Sequence, residues 1–150
     1  MTFIYLIYEE YKNTEYGYIF EKIANSEWKH MNAVEKIASK YNLELPNLDF
    51  GEFSIEEFQA LYNELLDRGL ISFEEALSVG KDIETMDIED ITKEESIFSD
   101  NDYILFVLYK LSNASSRHYE AFDYVSSLVN TEEISIQVED TNNETENLIL

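Results

Sequence analysis

The chain has 150 residues, no cysteine, and 10 basic residues against 32 acidic ones, a formal net charge of −22. That length suits one domain that buries roughly two thirds of its surface without a covalent staple. The missing cysteines exclude disulfides and thiolate chemistry, and the acidity excludes nucleic-acid and anionic-membrane binding, which need clustered Lys and Arg.

Four glycines and one proline are too few for a strand-and-turn architecture. Apolar spacing of three and four predicts helices throughout. The first helix runs from near Phe3 to about Lys12, with Ile4, Ile7, Tyr8 and Tyr11 on one stripe. "KNTEYG" reads as a turn. The second helix spans about 18–41, on a seam of Phe20, Ile23, Glu27, His30, Val34, Ile37 and Tyr41. "NLELPNLDFGEF" breaks it, punctuated by Pro46 and Gly51. A shorter third helix covers about 55–67, with Ser54 and Glu57 as a capping box and Gly69 as its C-cap. The fourth helix starts at Ser72, again with a box to Glu75, and runs to about Glu89 or slightly beyond. Its stripe is Phe73, Ala76, Leu77, Gly80, Ile83, Glu84, Asp87 and Ile91. The fifth spans about 102–129, with Ile104, Val107, Leu108, Leu111, Ala114, Ser115, His118, Phe122, Val125 and Val129 on its inward stripe. From Thr131 onward there are six acidic residues and no basic one, the composition of a disordered tail, although "ISIQV" has the makings of a brief strand. The expected organisation is one all-α domain over 1–130, with an acidic disordered tail over 131–150.

Polar residues interrupt these apolar seams. The only two histidines, His30 and His118, both fall on inward stripes. Glu27 precedes His30 by one turn and shares its face. Glu84 and Asp87 occupy the inward stripe of the fourth helix. Burying such groups without partners costs several kcal/mol each, so they must pair, reach water or bind a cation. Carboxylates and imidazoles without thiolates suit iron, manganese or zinc. Glu27-x-x-His30 has the form of the ligand pair found in di-iron carboxylate bundles. The fifth helix carries only half of a second pair, because Ser115 stands where a glutamate belongs. Tyr109 and Tyr119 are further candidates for hydrogen bonds to a ligand. No phosphate loop, dinucleotide fingerprint, EF-hand or serine triad is present, so no organic cofactor is expected.

Three separated stretches agree with one family. "IFEKIANSEWKHMNAVEKIASKYNL", "FQALYNELLDRGLISFEEALSVGKDIETMDIEDI" and "SSRHYEAF" resemble, in the same order, small ferritin-like proteins grouped as domain of unknown function 2202. The resemblance covers roughly residues 5–128. It implies a ferritin-like four-helix bundle whose long crossover carries a short extra helix. It also implies metal-ligand roles for Glu27, His30, Glu84 and His118. The family's usual acidic opening, of the kind "EEEKLARD", is missing here, so the first helix reads as truncated at its start. A depth count at about 1.5 Å per residue offers Tyr8 or Glu9 as a local substitute.

The expected function is therefore that of a ferritin-like protein binding iron or manganese, with possible redox action on oxygen or peroxide. The alternative is a metal-free helical scaffold or binding module in which the same residues form a hydrogen-bonded cluster. The expected partners are metal ions and a possible second copy in a homodimer. The absence of cysteine, of a signal peptide and of a membrane span suits the cytoplasm.

Overall fold

In the computed structural model the backbone of residues 2–147 and the side chains of residues 3–131 are described. Five helices follow in chain order: α1 Thr2–Tyr11, α2 Tyr18–Lys40, α3 Glu56–Gly69, α4 Phe73–Ile97 and α5 Asp102–Asn147. No strand occurs among the described residues. No helix there is long and apolar enough to cross a membrane. The helix assignment of α5 runs past the expected end near 129. The side chains from 132 onward lie outside the described residues, and with them most of the expected acidic tail.

α1 is held by its apolar stripe: Phe3, Ile4 and Ile7 are all buried. It lies along α2 and touches α3, where the Tyr11 hydroxyl donates to the Gly69 carbonyl at 3.0 Å. Gly69 is itself the last helical residue, and the cap falls on Leu70 in an ordinary right-handed conformation. Its missing Cβ serves close packing instead: a methyl there would stand 2.8 Å from Ile7 and 3.2 Å from Phe3. α2 ends as a Schellman motif. Asn42 takes φ 54°, and the Leu43 and Asn42 amides donate to the carbonyls of Ala38 and Ser39.

The expected capping box at Ser54 is not made. Ile55 occupies the cap position of α3 with no side-chain bond. Gln59 reaches back instead, accepting from the Phe53 amide and donating to the Gly51 carbonyl. At α4 the predicted cap holds: Ser72 Oγ accepts from the Glu75 amide at 3.2 Å. α4 outruns its expected end near Glu89, because "DITKEESI" contains no breaker and Lys93 pairs with Asp90 on its surface.

α4 and α5 run antiparallel through the short turn at residues 98–101 and make the most extensive helix pair. Gly80 lets them approach, since a Cβ at this position would lie 2.7 Å from the Phe122 ring. Phe122 also meets Phe20 at 5.6 Å, and Phe20 meets Phe73 edge-on at 5.8 Å. Each such pair contributes about 0.5–1.5 kcal/mol beyond its burial. This aromatic plug closes one end of the molecule. Toward the other end the α2 seam is only partly covered: Val34 and Tyr41, placed on the seam by periodicity, are exposed, although the Tyr41 hydroxyl accepts from Asn101 at 2.7 Å and Lys40 lies over the Tyr103 ring. The polar residues lie between the plug and this looser end.

Candidate metal centre

Glu27 on α2, Glu84 on α4 and His118 on α5 converge: one ligand atom from each lies within 4.8 Å of the other two. Helical register explains the meeting. Glu84 follows Gly80 by one turn and His118 precedes Phe122 by one turn. The ring seated at Gly80 therefore brings carboxylate and imidazole level. Glu84 is 2% exposed and His118 8%.

His118 Nδ1 stands 2.9 Å from Glu27 Oε1 and 3.2 Å from Glu84 Oε1. His30 Nδ1 lies 3.2 Å from both Glu27 oxygens, and its ring stacks on that of His118 at 5.5 Å. His30 thus joins the cluster through Glu27 and His118, outside the mutual triad. Hydrogen bonding does not exhaust the acceptors. Glu84 Oε2 is buried with no partner, and Glu27 Oε1 is close to His118 without accepting a well-formed bond. One imidazole N–H cannot serve two carboxylates.

The charges settle accordingly. Burial disfavours the His118 cation, but the bonds and charges of Glu27 and Glu84 outweigh it and hold the imidazole up at about 9. Burial likewise opposes the Glu27 carboxylate, and the two imidazoles bring it down to about 2. Asp87, one turn beyond Glu84, does not enter the triad. Partial desolvation first, then the like charges of Glu84 and Glu27, push its carboxyl up to about 6, although much of the residue faces solvent.

Two clefts reach the cluster and share Glu27, Asp87 and Asp90. One, of about 370 Å³, opens between α1, α3 and α4 and reaches down to the buried Glu84. The other, of about 340 Å³, opens between α2, α4 and α5 and is lined by His30 and Ser115. Neither cleft was legible in the sequence, because both are walled by residues far apart in the chain.

The donor set fits a metal ion. For ligands about 2.1 Å from a cation, neighbouring octahedral positions lie about 3.0 Å apart. The separations at His118 match that edge. The orphaned carboxylate oxygens supply lone pairs that no side chain uses. Other expected contributors are elsewhere. Glu9 is at the surface, paired with Lys12 at 2.7 Å. Tyr8 packs against the apolar core. Tyr109 and Tyr119 are exposed. α1 thus supplies no carboxylate to the cluster, and Ser115 is buried at the position where α5 lacks one.

The chain has relatives among known proteins. An uncharacterized protein of Methanocaldococcus jannaschii, MJ0754, is 42% identical over 106 residues, which is 69% of this chain and 57% of that protein. The chain thus spans little more than half the length of this curated relative. The crystal structure of hypothetical protein MJ0754 superposes with a TM-score of 0.76 at 35% identity, covering 86% of this chain and 74% of the other. The family described as "Uncharacterized protein domain (DUF2202)" matches residues 4–144. Matched from the first turn of α1 into the far part of α5, the chain belongs to the DUF2202 family.

Proposed function

We propose that the protein binds one ion of iron or manganese where α2, α4 and α5 meet. Glu27, Glu84 and His118 are the ligands, and His30 stands beside Glu27 as a fourth donor. The observation that carries this reading is Glu84 Oε2: a carboxylate oxygen in a residue 2% exposed, without a partner. Nitrogen and oxygen donors without thiolate suit these metals. α1, α2, α4 and α5, with α3 on the connection from α2 to α4, are read as a ferritin-like bundle. Three or four ligands favour a single ion over a pair.

An ion of this kind supplies redox chemistry toward oxygen or peroxide when bound. The chain's own part is to hold the anionic donors in a dry setting, to order His118 between them, and to leave approaches through two clefts. Elemental analysis of protein purified without added metal tests the reading. About one ion per chain is expected, falling severalfold in Glu84→Ala and His118→Ala. Equal metal content in wild type and both variants would refute it.

The alternative of a metal-free scaffold draws on one observation: the His118 cation between Glu27 and Glu84 already neutralises much of the cluster. Unchanged thermal stability after exhaustive chelation, with no metal in the purified sample, would favour it.

A further inference from the structure

The cleft between α1, α3 and α4 has a composition that a metal alone does not call for. Its walls are apolar and aromatic, including Phe3, Phe53, Phe58, Leu61, Tyr62 and Met86. Its floor and rim carry four carboxylates, Glu27, Glu84, Asp87 and Asp90, and neither lysine nor arginine lines it. A hydrated inorganic ion gains nothing from aromatic walls. A fatty acid or other apolar anion gains from the walls and is repelled by the carboxylates. A cation attached to an apolar body uses both. Aromatic faces attract ammonium groups through their quadrupole, and more strongly when water is excluded. The volume of about 370 Å³ lies in the range of about 300–1,000 Å³ typical of small-molecule sites. The walls are preorganised: Phe53 packs on Tyr62 at 5.4 Å, and Gln59 ties the Phe53 amide to α3 at 3.0 Å.

We propose that this cleft binds a small organic ammonium ion, its apolar body against the α3 aromatics and its charged head over the Glu84–Asp87–Asp90 carboxylates. The unpartnered Oε2 of the buried Glu84, the atom that also carries the metal reading, leaves a lone pair on the floor of this cleft for a cation. This goes beyond the metal reading and does not require it.

Isothermal titration of the full chain with butyl-, hexyl- and octylammonium tests the proposal, with octanoate as the anionic counterpart and metal content measured on the same preparation before chelation. Octylammonium is expected to saturate one site. Affinity should rise about fourfold per added methylene, from roughly 0.8 kcal/mol per buried CH₂. Octanoate should bind at least tenfold more weakly. Leu61→Arg places a cation on a wall that is 37% exposed, and should cost octylammonium at least tenfold while leaving the thermal midpoint in place. Phe58→Arg, 52% exposed, gives the same reading should Leu61→Arg fail to fold. Equal affinity for octanoate, or no loss in the arginine variants, would place any binding on the general acidic surface and overturn the proposal. The titrations are run on chelated protein, so that a metal on Glu84 does not mask the cleft, and the metal count is read on the untreated sample, so failure here and failure of the metal reading are separately visible.

Discussion

The proposed metal must displace a proton from the site in order to bind. In the metal-free protein His118 Nδ1 is held between Glu27 Oε1 at 2.9 Å and Glu84 Oε1 at 3.2 Å, and its imidazole is held up at about 9. A ligating nitrogen must be neutral. Below that value each metal ion that binds releases close to one proton, and apparent affinity climbs about tenfold per pH unit. From pH 7 to pH 8 the gain is therefore about tenfold. An unperturbed imidazole with a pKa of about 6.5 would give only about 1.3-fold over the same step. Competition between the protein and a calibrated chelator for Mn(II) at pH 6, 7 and 8 measures this slope. Calorimetry in buffers of different ionisation heat counts the protons. A gain under twofold between pH 7 and 8, with binding intact, would refute the placement of His118 between the two carboxylates.

Without metal, stability should itself depend on pH. The raised His118 value means that its contribution is complete below about pH 6.5 and fades as pH rises through about 9. The lowered Glu27 value gives a contribution complete above about pH 4.5 and lost as pH falls through about 2. Asp87, raised to about 6, also loses its contribution as pH rises through that value, so the thermal midpoint of chelated protein should be highest near pH 4.5 and fall toward pH 9, His118 accounting for a loss of about 3 kcal/mol; a midpoint still rising from pH 7 to 9 would contradict this. His118→Ala should destabilise the chelated protein by about 3–5 kcal/mol, since it leaves buried carboxylates without their cation, and His30→Ala, a partner whose side chain is 19% exposed, by distinctly less. Gly80→Ala should cost about 1–3 kcal/mol by forcing a methyl into the Phe122 ring, lowering Tm by about 3–10 °C, and should weaken metal binding as well; an unchanged melting curve would count against the close approach of α4 and α5.

Periodicity made the triad legible. Glu27, Glu84 and His118 interrupt apolar stripes of period 3.6, and a stripe shows which way a side chain faces. It does not show how far two helices stand apart. Val34 and Tyr41 accordingly continue the α2 seam by spacing and still meet solvent, the Tyr41 hydroxyl accepting from Asn101 in the α4–α5 turn. Local signals failed where two of them competed. Ser54 and Glu57 have the spacing of a capping box, yet Gln59 claims the preceding loop and moves the cap to Ile55. Gly69 looks like a helix stop and is needed for its missing side chain, which only the position of α1 reveals. The acidic run after Glu89 reads as a turn by charge, but it lacks a breaker and stays helical to Ile97.

The ring of Phe122 seated on Gly80 acts as a mechanical datum for the molecule. Glu84 and His118 are each one turn from that contact, on opposite helices, so their alignment is set locally and owes little to the hairpin at residues 98–101. Lengthening the hairpin should be absorbed at its tip. Deleting one residue between Gly80 and Glu84 would swing the carboxylate by about 100° around α4 and carry it off the shared face. The chain can thus vary in length at its connections while the turn from Gly80 to Glu84 and the matching turn of α5 stay in step.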